Sequence, residues 1–201
     1  MKIASLVLAA GTSTRMGQPK ALLPADPAGV PFVLKLVGTL VRGGTDEVFV
    51  IGRASDRELR DVIAHGEVSV RYVVNPDPGR GQLSSLVSGL GAAEAAGADA
   101  VLVMPVDMPL VSSSTISSAI GEMRSRPAPI VRVSFQGQHG HPVIFHRDVF
   151  DDLRHADVSI GARDVVRRYA GQVVELAVED PGVIRDFDFP EDYRAVFNRD
   201  P

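Results

Sequence analysis

The chain contains no cysteine, which removes disulfides, thiolate metal sites and cysteine nucleophiles at one stroke and fits a reducing compartment. No apolar run is long enough to span a membrane. The first such run, residues 3–9, is too short for a signal peptide and leads straight into a loop without a cleavage site. The expected setting is the cytoplasm. Positive charge is not in excess: the formal net charge is −4, so there is no basic field for nucleic acid or an acidic membrane. Repeats, linkers and low-complexity segments are also missing. What remains is ordinary in bulk, with 201 residues, 45% hydrophobic and 23% charged, which suits one domain over residues 1–201 with a large core.

Two familiar nucleotide loops are absent as well. A Walker loop needs four residues between its glycines and then Lys-Ser/Thr, but Lys20 is followed by Ala21 and Gly17 lies too close. The dinucleotide fingerprint needs Gly-x-Gly-x-x-Gly, and Gly11 is followed by Thr12, Ser13 and Thr14. Yet LAAGTSTRMGQPKALLP, from Leu8 to Pro24, has the ingredients of a polyphosphate cradle. An apolar run empties into small residues, Ala9, Ala10, Gly11, Thr12 and Ser13, which let backbone N–H groups approach an anion. Arg15 and Lys20 add fixed positive charge. Taken alone, such a loop is as often a plain surface turn.

The rest of the chain alternates. Nearly continuous apolar runs at 3–9, 47–51, 68–74 and 100–104 predict strands covered on both faces. Residues 31–42, 55–65, 83–96 and 112–123 predict helices between them, the second opening on Ser55 with Glu58 three residues later. This is the pattern of an α/β fold, a three-layer doubly wound (Rossmann-like), mostly parallel sheet. In the last third, runs at 130–135 and 142–145 flank Gln136 to Gly140 and predict a small hairpin insertion. A helix at 162–170, a strand at 173–178 and a closing helix after Pro190 follow.

Asp107 lies just beyond the run 100–104, where ligands bind at the carboxyl ends of strands in an open sheet. A carboxylate there can hold Mg²⁺, a hard cation that takes few carboxylates plus phosphate oxygens. The alternative, that Asp107 caps the next helix, is weakened by Ser112 to Ser114, which can cap it themselves. Residues 186–189, Asp-Phe-Asp-Phe, suit a short strand with both aspartates on one face and Phe187 and Phe189 toward the core. The same stretch also reads as a solvated turn, with Glu191 and Asp192 favouring the start of the last helix. Gly81 permits close approach beside Ser84 and Ser85; Ser84 reads as a helix cap, leaving Ser85 free to meet a base. His139 and His141 are too close in sequence for a favoured metal pair and read as surface or substrate contacts.

These residues together resemble the nucleotidyltransferases of the molybdenum cofactor cytidylyltransferase and guanylyltransferase group. LAAGTSTRMGQPKALLP resembles that group's signature loop. GQLSSLVSGL, MPVDMPLV, GHPVIF, SIGARDVV and GVIRDFDFPEDY are similar to its later blocks, in the same order and over nearly the whole chain. The resemblance implies an Mg²⁺-dependent enzyme that moves a nucleotidyl group onto a phosphorylated pterin and releases pyrophosphate. Arg15, Lys20 and Asp107 would be the catalytic residues. Leu8 to Ser13, Arg15, Lys20, Gly81 and Ser85 would hold the nucleotide, Asp107 with Asp188 or Asp186 the metal, and Gly140 and His141 the acceptor. Ala10, in a position where the guanylyl branch tends to carry Gly, and Pro19 before Lys20 place the chain on the CTP side rather than the GTP side. The product would pass to a molybdoenzyme or its chaperone. Val106, Leu83 and Phe189 depart from the family's usual Gly, Ser and Thr, which bears on the acceptor rather than on the charged residues. A different phosphorylated acceptor such as a sugar phosphate, or a non-catalytic cofactor-binding module, are the competing readings.

Overall fold

The computed structural model describes residues 1–201. Its centre is a seven-stranded sheet formed by β1 (Ile3–Leu8), β2 (Glu47–Gly52), β3 (Arg71–Val74), β4 (Ala100–Pro105), β5 (Ile130–Phe135), β6 (Gln138–His146) and β7 (Val173–Ala177). The strand order is β3-β2-β1-β4-β6-β5-β7. Only β6 runs antiparallel to its neighbours; every other pairing is parallel. The helices are α1 (Phe32–Arg42), α2 (Arg57–Ala64), α3 (Gln82–Ala95), α4 (Ser113–Ser125), α5 (Phe150–Arg154), α6 (Ala162–Arg168) and α7 (Pro190–Phe197). No helix is long and apolar enough to cross a membrane.

The doubly wound architecture follows from the strands' own alternation. Along β1, Ile3 and Val7 point to one core, while Ala4, Leu6 and Leu8 point to the other. The first core takes Leu36 and Leu40 of α1, Leu59 and Ile63 of α2, and Ile116 and Ile120 of α4. The second takes Leu86 and Leu90 of α3, Leu153 of α5 and Val165 of α6. Every residue of β1 and β4 is buried, as a strand covered on both faces requires.

Three expectations change. The hairpin of β5 and β6 is present, but it is not set apart from the sheet. β6 lies between β4 and β5, with Val143, Ile144 and Phe145 paired to Val103, Leu102 and Val101. Its buried apolar run provides the physical reason. The predicted cap of α2 is not made: Asp56 precedes the helix, and its carboxylate instead accepts from the backbone N–H of Arg53 at 2.8 Å. Residues 186–189 form no strand; Phe187 is fully buried but Phe189 is 45% exposed.

A third, smaller core explains that split. Met16, Leu23, Phe32, Phe187 and Tyr193 form one buried cluster. Phe187 lies 5.3 Å from Phe32 and 5.4 Å from Phe197, ring centre to ring centre. The Tyr193 hydroxyl donates to the Pro24 carbonyl at 2.7 Å. The cluster fastens the end of the chain under the loop that follows β1.

Candidate functional site

The loop after β1 is shaped by its own side chains. The Ala9 N–H donates to the Ile51 carbonyl at 2.8 Å, so β1 stays tied to β2 as it ends. Ser13 then turns the chain in the left-handed region (φ 52), which few non-glycine residues adopt. Its carbonyl accepts from the N–H groups of Met16 and Gly17, and its Oγ accepts from the N–H of Lys20 at 3.1 Å. One serine thus closes the loop and sets the start of the Lys20 side chain. A Cβ on Gly11 would meet nothing within 4 Å, so packing does not demand glycine there; the space it leaves opens to the surface.

Beside this loop lies a cleft of about 790 Å³ lined by every residue from Leu8 to Arg15, with Lys20, Gly81, Ser85, Asp107 and Asp188. All ten residues assigned from sequence to the nucleotide, and both assigned to a metal, line this one cleft. Asp107 sits just past β4, whose end is tied to β1 by the Val106 N–H donating to the Leu8 carbonyl at 3.1 Å. The Phe187 N–H donates to the Asp107 carbonyl at 3.0 Å and brings the last segment of chain alongside. Asp188 therefore faces Asp107, and the ammonium of Lys20 lies between them, 2.8 Å from Asp107 Oδ2 and 2.5 Å from Asp188 Oδ1. Arg15 holds the other oxygen of Asp188 at 2.5 Å and lies over the ring of Phe189 at 5.3 Å.

The electrostatics match. Burial pulls the Lys20 ammonium down, but its hydrogen bonds to Asp107 and Asp188 outweigh that and hold it above the usual lysine range. The Lys20 hydrogen bond holds the Asp188 carboxyl below the carboxylate range, with Arg15 adding to the effect. Asp186 behaves oppositely: desolvation and then the Asp107 charge push its carboxyl up. Asp188, not Asp186, is the acid hydrogen-bonded to the cations.

Ser85, which lines the cleft, is backed by a residue that sequence alone did not single out. Asn75 is buried beyond β3, and its Nδ2 donates to Ser84 Oγ at 2.9 Å and to Ser85 Oγ at 3.0 Å. Ser84 is not the cap of α3; Gly81 (φ 79) precedes the helix, and the Ser84 hydroxyl donates to its carbonyl at 2.8 Å. Ser85 accepts from Asn75, which leaves its proton free to donate. An isolated Asn carries no motif, so only the fold shows this role. Asn75→Ala leaves the buried Ser85 hydroxyl without its donor and removes a contact from the half-buried Ser84, and is expected to lower unfolding stability by about 1–3 kcal/mol in urea titrations. Arg53 was missed too; its Nε donates to the Ala10 carbonyl at 2.7 Å and lines the cleft.

Gly140 and His141 line a second cleft of about 790 Å³, which meets the first at Leu8 and Gln82. Its floor is apolar, with Leu83, Leu86, Val143 and Phe145, and Arg163 and Arg167 stand at its edge. Burial pushes the His141 imidazole down to about 4, so it is neutral at physiological pH. Gly140 has a packing reason for being glycine: a Cβ would sit 1.9 Å from the Val183 carbonyl oxygen. Ser112 caps α4, accepting from the Thr115 N–H, which leaves Asp107 free of that duty.

Comparison with known proteins places the chain in a family. Residues 5–173 match the family described as MobA-like NTP transferase domain. A probable molybdenum cofactor guanylyltransferase from Mycobacterium avium is 38% identical over 120 residues, 60% of this chain and 57% of that protein. The alignment thus spans little more than half the length of that relative. The purine catabolism protein PucB of Bacillus subtilis is 28% identical over 94% of this chain and 93% of its own length. The crystal structure of Rv0371c from Mycobacterium tuberculosis superimposes with a TM-score of 0.82 at 27% identity, covering 99% of this chain and all of that one. The chain belongs to the MobA-like NTP transferase domain family of nucleotidyltransferases.

Proposed function

We propose that this protein transfers CMP from CTP to the phosphate of molybdopterin, in the cytoplasm, and releases pyrophosphate. The observation that carries the reading is the single cleft holding a small-residue loop, two cations and two facing carboxylates. The backbone of residues 8–13 and the side chains of Arg15 and Lys20 take the triphosphate. An oxygen of the acceptor phosphate attacks the α-phosphorus, the bond from that phosphorus to the bridging oxygen breaks, and pyrophosphate leaves with the electron pair. Such transfer rests on positioning and charge stabilisation, and no nucleophilic side chain is required.

Asp107 and Asp188 suit a divalent cation, since both already converge on one positive charge, the Lys20 ammonium. Mg²⁺ held by them would offset charge on the transferring phosphate. The relative Rv0371c has been crystallised in complex with manganese. Ser85 and the backbone around Ala10 face the base, and the buried Ala10 methyl leaves less room than glycine would, which favours cytosine. The second cleft, with Gly140 and His141, receives the pterin; a molybdoenzyme or its chaperone takes the product.

A pyrophosphate-release assay with each of the four nucleotides, with and without Mg²⁺ and molybdopterin, tests this. Release is expected from CTP only, and only with metal and acceptor both present. Turnover with GTP alone would overturn the base assignment, as the names of several relatives would then suggest. Nucleotide binding by calorimetry with no turnover on molybdopterin or a sugar phosphate would favour a carrier module.

A further inference from the structure

Four of the charged groups that line the first cleft neutralise one another. Lys20 bridges Asp107 and Asp188, and Arg15 closes the remaining oxygen of Asp188. The Lys20 side chain is 11% exposed, and each of its two carboxylate contacts is a charge-assisted hydrogen bond. Its start is fixed by the bond from its own N–H to Ser13 Oγ and by the one-turn helix Lys20–Leu22. Arg15 differs: it is 61% exposed and reaches only one of the two acids.

We infer that Lys20 is a built-in occupant of the place between Asp107 and Asp188, so that a divalent cation gains full access to both carboxylates only when an anionic nucleotide draws Lys20 away. This rests on the assignment of the two acids to a cation under the proposed function. The carboxylates cannot both turn to a new cation while the ammonium is held within 2.8 Å of one and 2.5 Å of the other. The negative oxygens of a polyphosphate in the adjoining loop offer Lys20 and Arg15 equivalent partners. Removal of the two cations then leaves a bare pair of like charges, which favours a divalent ion. Nucleotide and metal are thereby coupled, each raising the other's affinity. Lys20 is a gatekeeper of the metal place as well as a phosphate contact.

Titration of the nucleotide-free full chain with Mn²⁺, followed by the loss of the free-ion paramagnetic resonance signal, tests the inference. Lys20→Met is expected to bind Mn²⁺ about tenfold more tightly than the unaltered chain. Arg15→Met controls for loss of charge and is expected to gain no more than about twofold, because it leaves the bridging ammonium in place. Asp107→Asn in the Lys20→Met background is expected to abolish the gain. Equal Mn²⁺ affinity in Lys20→Met and the unaltered chain would overturn the inference, and so would an equal gain in Arg15→Met. Lys20→Gln serves as a second replacement should the methionine variant fail to fold. With no nucleotide or acceptor present, this readout is independent of turnover: a chain that gains Mn²⁺ affinity but transfers nothing retires the proposed reaction and retains the gate.

Discussion

Asp107→Asn is expected to lower the rate of pyrophosphate release by about 10³-fold while leaving the fold intact. The size of the loss follows from position. Asp107 stands at the carboxyl end of β4, in the middle of the sheet, with Lys20 and Asp188 facing it. A neutral amide there keeps the shape of the side chain but withdraws the charge that would hold a divalent cation. The stability change is small for three reasons. Lys20 retains Asp188, the backbone carbonyl of residue 107 still accepts from Phe187, and the amide oxygen of the variant can still accept from the Lys20 ammonium. Comparison of thermal unfolding with single-turnover rates separates the two effects. Activity within tenfold of the unaltered chain would overturn the role given to Asp107.

The site was legible in the sequence where small residues and charge stand together. Loop 8–20 lies after a strand whose six residues are all buried, and its two cations have no internal partner within the loop. Both features follow from chain-local pattern, and the loop lies where the pattern predicts. Asp107 was legible for a similar reason, as an acid directly after a continuous apolar strand. The choice between Asp186 and Asp188 was not, because it depends on which one the fold turns toward Lys20. The fold brings Asp188 to Lys20 through a segment tied down by the Phe187 N–H bonding to the Asp107 carbonyl, a contact across 80 positions of sequence. Asn75 and Arg53 were hidden for the same reason: each acts through a partner distant in sequence and has no companion residue nearby.

The sheet shows the same division. Strands β1, β2 and β4 are almost continuously apolar and were evident as such. The first half of β6, from Gln138, is polar and partly exposed, so only its apolar second half was evident. Its place between β4 and β5 comes from pairing with residues some 40 positions earlier, as in Val143 with Val103. Helix α5, five residues long, is too short to show a periodic stripe.

Phe187 and Phe189 give the sharpest contrast, since alternation alone placed both toward the core. Phe187→Ala is expected to reduce unfolding free energy by about 3–5 kcal/mol, measured by urea denaturation. The ring is fully buried between Phe32 of α1 and Phe197 of α7, and α1 cannot move to close the gap without losing its own packing on the sheet. Activity falls with it, because the segment that carries Asp188 is held by this ring on one side and by the Asp107 carbonyl on the other. Phe189→Ala behaves differently. Its ring is 45% exposed, and its contact is the Arg15 guanidinium stacked over it, an interaction of about 0.5–1 kcal/mol at an exposed site. Its backbone N–H keeps the Asp192 carboxylate at 2.8 Å whatever the side chain, so the start of α7 survives. The Phe189 variant should unfold within about 1 kcal/mol of the unaltered chain. Equal losses in the two variants would mean that Phe189, like Phe187, is held in a core, and the arrangement of Arg15 and Asp188 at the cleft would have to be redrawn.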